Sequence, residues 1–183
     1  MGLTTEQLHW LVGAELAALA LVLIAHEAGV WRWAALRYAL AATLLLFAAE
    51  GFLVPMLQRA VSHEPFDLAT KQHLVLAALC LLVGVAEWLR AAGRLPGARW
   101  RAALPSGMFA TAALFVFHAQ HHSDAPPTLL TVQHRILGAS LAVGAMAKTA
   151  GELPHAGARR LGVAWLVPLL LAGIELLLYT ERP

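Results

Sequence analysis

Six long apolar stretches, joined by short polar connections, constrain this chain more than any other feature of its sequence. A helix needs roughly 20 apolar residues to cross the hydrocarbon core of a bilayer, and each stretch reaches about that length. Hydrophobic residues make up 60% of the 183 residues and charged residues only 13%, which leaves no room for a soluble domain. Backbone groups in a membrane must be hydrogen-bonded internally, which favours helices. The predicted fold is all-α, an integral membrane bundle of six transmembrane helices forming one domain over residues 1–183. The helices are predicted at residues 7–28, 33–57, 71–91, 101–121, 129–149 and 159–180.

A twelve-residue phrase occurs twice in the chain. Ser62–His73 is echoed 61 residues later by Ser123–His134, and the copies share Ser, Pro, Leu, Thr, Gln and His at matching places. Each copy ends in Gln-His and runs directly into an apolar stretch. We interpret this as an internal duplicated helix pair, with repeat units of about 33–91 and 101–149. The duplication predicts that the two terminal histidines lie at the same depth in the membrane.

Basic residues predict how the bundle is oriented. The connections after the first, third and fifth helices carry nine Lys or Arg residues, and the opposite side carries four. Positive charges concentrate on the cytoplasmic side, so both termini are predicted to be extracytoplasmic. The richness in Ala, Leu and Arg is typical of bacterial genomes of high GC content, and the expected location is a bacterial inner membrane. The expected partner is the lipid bilayer. The basic residues are scattered between helices, a distribution that does not predict nucleic-acid binding.

Histidines are concentrated at the predicted extracytoplasmic rim. Seven of the nine histidines fall there. His118 and His122 are four residues apart and share a helix face, and His73 and His134 open equivalent helices. Imidazole is the commonest protein ligand for transition metals, and an intramembrane carboxylate indicates a functional site. The predicted metal ligands are therefore His73, His134, His118, His122 and Glu50.

The sequence does not decide whether five further polar residues on the same side join the predicted metal site. These are His9, His63, His121, Glu15 and Glu175. His63 and His121 are predicted to lie in or beside solvent-exposed loops, outside the metal site. An alternative for the Gln-His pairs is that each caps its helix and hydrogen-bonds the preceding loop. Glu87 is predicted to pair with Arg90 near the opposite end of its helix.

The run from Gln72 to His134 resembles the transmembrane protein 45 family, small multi-span proteins of unknown function. The family pattern is Trp-Gln-His opening a helix, then Ser-Gly and an acid, then a helix that ends in His-x-His, and a further His after a Pro-containing turn. The matching positions are Gln72-His73, Val83-Gly84, Glu87, Phe115–His118, Pro126 and His134. The sequence departs from the family pattern at two places. Lys71 stands in place of the Trp, and Thr111 or Ala112 stands in place of the acid of the third helix. The resemblance implies a shared helical fold and a shared His/acid cluster, and no activity. A fainter similarity, to CopD-type copper-resistance membrane proteins, depends on small size and outer-side histidines.

The leading hypothesis is a His/Glu metal site near the extracytoplasmic face, for copper or zinc handling or for metal-dependent chemistry. Nitrogen and carboxylate ligands fit copper, zinc or iron. One alternative is a b-type cytochrome, with haem b held between His73 and His134. Another is a membrane-embedded hydrolase that uses a metal-bound water. The last is a scaffold that carries out no chemistry. The sequence does not choose the reaction, the substrate or the oligomeric state, so whether the protein is an enzyme stays open.

Overall fold

A computed structural model describes residues 4–63, 65–118, 127–153 and 163–181. The principal helices are α1 (Thr5–Glu27), α2 (Ala39–Ser62), α3 (Leu68–Ala91), α4 (Ala103–Val116), α5 (Pro127–Glu152) and α6 (Leu166–Leu177). Short 3-10 helices, Ala34–Tyr38 and Ala98–Ala102, lead into α2 and α4. The all-helical prediction is confirmed within these residues, and each predicted helix has an observed counterpart.

Local sequence signals explain where several helices begin and end. Thr4 caps α1 through a capping box with Gln7, which satisfies two backbone amides of the first turn. Asp67 caps α3 by accepting a hydrogen bond of 2.7 Å from the amide of Thr70. Gly93 follows α3 with a positive φ of 73°, a conformation that costs glycine little. The starts of α1 and α3 lie at the same end of the bundle, where the rings of His9 and His73 approach each other.

The helices form a ring in chain order that α6 closes against α1. The most extensive contacts join α2 to α3, α1 to α6, and α4 to α5, and smaller contacts join α1 to α2, α3 to α4 and α5 to α6. The buried core includes Leu19, Leu104, Leu141, Leu166 and Leu169, which come from α1, α4, α5 and α6. Because neighbours in sequence are also neighbours around the ring, side chains from all six helices can face one central space.

Small residues let the helices of two hairpins approach closely at equivalent places. A Cβ built on Gly51 of α2 would lie 2.8 Å from the Cβ of Ala77 on α3. A Cβ built on Gly138 of α5 would lie 2.9 Å from the carbonyl oxygen of Ala112 on α4. The residues of the second contact follow those of the first by the same 61 positions that separate the two copies of the phrase. Small residues at helix crossings are typical of membrane bundles.

Within the described residues, four helical segments are long and apolar enough to cross a membrane. They are Thr5–Glu27, Ala34–Val61, Leu68–Ala91 and Leu129–Glu152. Leu166–Leu177 is apolar but has 12 residues, so it is shorter than a full span. Large apolar side chains are exposed on the outer faces of the bundle, as a lipid-facing surface requires. Examples are Leu21, Leu53, Leu82, Phe109, Val143 and Leu171. The apolar helices confirm a membrane-like bundle, and six complete spans stay a prediction.

Candidate functional site

Four histidines from four helices meet at one end of the bundle. The rings of His73 and His118 have centroids 4.8 Å apart, and those of His118 and His134 are 4.6 Å apart. His9 lies 6.3 Å from His73 and 6.2 Å from His134 by the same measure. We call His9, His73, His118 and His134 the histidine quartet. His134 is buried, with 5% of its surface exposed, and the other three are half-buried. The tertiary fold therefore gathers imidazoles that are up to 125 residues apart in sequence.

Three members of the quartet are held by the same backbone contact. Nδ1 of His9 lies 2.8 Å from the carbonyl oxygen of Thr5, Nδ1 of His73 lies 3.0 Å from that of Ala69, and Nδ1 of His134 lies 2.8 Å from that of Leu130. In each case the carbonyl belongs to the residue four positions earlier, one helical turn back. A carbonyl oxygen can only accept, so Nδ1 must carry the proton and donate it. The lone pair of each neutral ring is then on Nε2.

A contact between α3 and the end of α4 places His118 beside His73. The side-chain amide of Gln72 donates a hydrogen bond of 3.0 Å to the carbonyl oxygen of Phe117. Phe117 immediately precedes His118, whose ring forms a nearly perpendicular contact with that of His73, at 76°. Gln72, from the first copy of the Gln-His phrase, thus joins α3 to the end of α4.

The chain ends complete the site. Tyr179, which follows α6, stacks on the ring of His9 with centroids 3.9 Å apart and planes at 16°. The indole N–H of Trp10 donates a hydrogen bond of 2.8 Å to the carbonyl oxygen of Tyr179. The carboxylate of Glu6 accepts hydrogen bonds from the hydroxyl of Thr180 at 3.2 Å and from the amide of Glu181 at 2.7 Å. The start of α1 and the end of the chain are therefore fastened together, and this brings His9 into the quartet.

A central cavity of about 220 Å³ lies inside the helix ring and reaches the quartet at His73. Its walls come from all six helices and are almost wholly apolar; the polar side chains among them include Glu50, His73 and Thr111. Lining residues of α2 and α3 pair with lining residues of α4 and α5 at the 61-residue offset of the duplicated phrase. The pairs are Phe47 with Met108, Glu50 with Thr111, Leu76 with Leu137, and Cys80 with Leu141.

A smaller cavity of about 180 Å³ borders the quartet at His9 and His134. It is lined by His9, Gln133, Glu175 and Tyr179 among others. Oε1 of Glu175 accepts a hydrogen bond of 2.8 Å from the hydroxyl of Ser140. Oε2 of Glu175 and Oε1 of Gln133 are buried without a hydrogen-bond partner among the described residues. The quartet is therefore bordered by two cavities, one apolar and one more polar.

The observed ring orientations are not those of an assembled metal site. Within the part of the chain that the structure describes, no group of three or more His, Cys, Asp or Glu side chains is arranged to hold a metal ion. One obstacle concerns the pair His118 and His134, whose planes are only 21° from parallel and are stacked. A ligating nitrogen points its lone pair within its ring plane, so two stacked, nearly parallel planes cannot contain the same ion. Rotation of His118 about its broad terminal torsion would remove this obstacle.

The predicted ligands have different positions in the structure. His73, His118 and His134 are brought together, and Glu50 lines the cavity that reaches His73. His122 lies outside the described residues, as does His121. Of the residues that the sequence left open, His9 joins the quartet and Glu175 lines its polar side. His63 is exposed at the left-handed end of α2, with φ 58°. Glu15 has a buried oxygen without a partner among the described residues.

Sequence reasoning missed Tyr179 altogether. The signal that could have found it is its place two residues beyond the last apolar helix, on the side where the histidines collect. The predicted pairing of Glu87 with Arg90 is confirmed, with nitrogen-to-oxygen distances of 2.7 and 2.9 Å. That ion pair stabilises the opposite part of α3 and has no contact with the quartet.

Comparisons with known proteins add no relative on which to base a function. No family model matches the sequence, and neither the curated proteins nor the solved structures gave a match. The function is therefore argued from the geometry of the quartet and its two cavities.

Proposed function

We propose that this protein binds a transition-metal ion, copper or zinc, at the histidine quartet of a membrane-embedded helical bundle. The observation that carries the proposal is the shared Nδ1 contact of His9, His73 and His134. Metal-ligating histidines commonly donate their other ring N–H to a carbonyl or carboxylate, which fixes the tautomer and the ring orientation. Here three imidazoles, from three helices, each donate Nδ1–H to a backbone carbonyl oxygen.

The spacing of the rings supports binding after a small rearrangement. Two imidazoles that bind one ion through nitrogens at about 2.0–2.1 Å have ring centroids roughly 5 Å apart. The observed separations range from 4.6 to 6.3 Å, and the pairs of His9 with His73 and with His134 are T-shaped rather than stacked. His9, His73 and His134 would supply three nitrogens, and His118 would become a fourth ligand when its ring turns. His122 stays a predicted ligand.

We propose further that the quartet faces the extracytoplasmic side of a bacterial inner membrane. The support is the distribution of basic residues, most of which lie in connections at the end away from the quartet. A metal site at that face suits the handling of copper or zinc outside the cytoplasm. The resemblance to the transmembrane protein 45 family and to CopD-type proteins agrees with a small histidine-bearing bundle and adds no reaction.

The experiment is metal binding by the purified full chain. Chelator-treated protein in detergent is titrated with Zn²⁺ and, separately, with Cu²⁺, and bound metal is measured by calorimetry and elemental analysis. Wild type is expected to bind one ion per chain, and His73→Ala and His134→Ala each to weaken binding more than about tenfold. His26→Ala is the matched control, because Nδ1 of His26 lies 2.7 Å from the carbonyl oxygen of Trp31 at the other end of the bundle. Absence of binding, or equal loss in all three variants, would refute the site.

Haem b between His73 and His134 is the second candidate, and the structure favours it less. His118 contacts both rings, at 4.8 and 4.6 Å between centroids, so a macrocycle bound by His73 and His134 would have to fit beside a third imidazole. A visible absorption spectrum of protein expressed with haem available distinguishes the two, because a b-type haem held by two imidazoles is intensely coloured.

A further inference from the structure

The central cavity has the shape and chemistry of a binding site for a small apolar chain. Along α3 its lining runs from His73 to Val83, ten residues or about 15 Å of helix. Leu44, Leu76, Leu104 and Leu169 are among the side chains that enclose it. A ligand body that fills this space must be apolar, because such walls offer a polar group nothing to replace its water.

Glu50 contributes a carboxyl group to the lining of this largely apolar cavity. Its Oε2 is buried and has no hydrogen-bond partner among the described residues. His73 and Thr111 line the same cavity. A buried acceptor without a donor costs free energy, so a ligand that brings one donor to Glu50 gains that energy on binding. A carboxyl oxygen can accept in either protonation state, so this holds whether Glu50 is ionised or neutral.

We propose that the cavity binds a single-chain aliphatic alcohol, with its hydroxyl at Glu50 and its chain between the helices. A hydroxyl fits better than the other simple head groups. Glu15 already lies close enough to Glu50 for the two carboxyl groups to interact electrostatically, so a carboxylate head would add a third acid. An ammonium head would lose far more hydration than a hydroxyl on entering a cavity with almost wholly apolar walls. A bare alkane would leave the oxygen of Glu50 unsatisfied.

The cavity volume sets the length of the chain. An engineered protein cavity of about 150 Å³ holds one benzene molecule, with six carbons, so about 220 Å³ corresponds to roughly nine carbons. Nonanol is therefore a suitable probe. The proposal concerns the cavity rather than the metal, and it does not depend on metal binding at the quartet.

The test is photolabelling of the chelator-treated full chain in detergent with nonanol that carries a diazirine at mid-chain. Adducts are mapped by mass spectrometry, with excess nonanol, nonane or nonylamine as competitors. We expect adducts on cavity-lining residues such as Leu76, Cys80, Leu104 and Met108, with nonanol competing at least about fivefold better than the other two. Adducts confined to outward residues such as Leu82, or equal competition by nonane or nonylamine, would overturn the proposal.

Variants separate the head group from the cavity. Glu50→Leu should abolish the advantage of nonanol over nonane. Glu175→Leu is the matched control, because that carboxyl also has a buried oxygen but lines the other cavity. Leu141→Trp should fill the cavity and remove its adducts. If Glu50→Leu does not fold, two measurements still test the proposal. These are the competition by nonane and nonylamine in wild type, and the loss of cavity adducts in Leu141→Trp. A Leu141→Trp protein that folds and labels at the cavity as strongly as wild type would refute the site.

Discussion

At Gly173, α6 crosses α1, the helix that carries His9, and a single added methyl group tests how closely the two backbones approach. A Cβ built on Gly173 would lie 2.6 Å from the backbone nitrogen of Ala17 and 3.0 Å from its Cα. These atoms belong to the backbone of α1, so no side chain can rotate away. Bringing the nitrogen to an ordinary contact of 3.4 Å requires the two helices to separate by about 0.8 Å in a densely packed crossing.

Two opposing effects set the size of the change for Gly173→Ala. Overpacking costs about 1–3 kcal/mol, and a contact with rigid backbone belongs at the upper end of that range. Alanine in a helix interior is better than glycine by roughly 0.5–1 kcal/mol, which opposes the loss. The expected net destabilisation is about 2–2.5 kcal/mol. For a chain of this size that lowers the midpoint of thermal unfolding by about 4–10 °C.

The assay is thermal unfolding of the purified chain in detergent, followed by tryptophan fluorescence. Gly97→Ala is the control, because Gly97 has φ −67° and a Cβ there would meet nothing closer than 3.7 Å. The control should change stability by less than about 0.5 kcal/mol. If Gly173→Ala is as stable as Gly97→Ala, the close backbone contact between α1 and α6 is wrong.

Three further predictions concern the caps, the chain ends and the metal. Asp67→Ala should lower the free energy of unfolding by about 1 kcal/mol, because the Thr70 amide loses its capping acceptor. Asp67→Asn keeps an acceptor oxygen and should lower stability much less. Unfolding of both variants is measured by titration with urea or SDS. Trp10→Phe should cost about 1 kcal/mol through the lost hydrogen bond to Tyr179, and Trp31→Phe at the opposite end is its control in the same assay. Zn²⁺ affinity should fall as pH is lowered from neutral, because protons compete for the ligand nitrogens; calorimetry at several pH values would contradict the metal site if affinity stayed constant.

Much of the secondary structure could be read from the sequence because hydrophobicity is a local property. The stretch that contains α3 was predicted at residues 71–91, and the helix is Leu68–Ala91, three residues longer because Asp67 caps it earlier. The last helix was predicted at residues 159–180, and its described part, Leu166–Leu177, is shorter. Helix ends depend on capping and on loop geometry, which hydropathy does not report.

The candidate site was predictable in part. The repeated Gln-His phrase pointed to His73 and His134, and the spacing around His118 pointed to the same rim. Helical periodicity tells which residues share a face, but not which helix that face meets. His9 was undecided for that reason, since its shortest ring contact, at 3.9 Å between centroids, is with Tyr179, which is 170 residues away in the sequence.

The sequence by itself determined that this chain consists of apolar helices with histidines gathered at one side, because hydropathy, proline punctuation and a repeated phrase are written along the chain. Only the tertiary structure decided that α6 closes the ring against α1, that His118 stacks on His134, and that Glu50 faces an apolar cavity. Those outcomes depend on how closely two backbones approach, as at Gly173 and Ala17. Such an approach is a property of paired surfaces, and no single stretch of sequence specifies it.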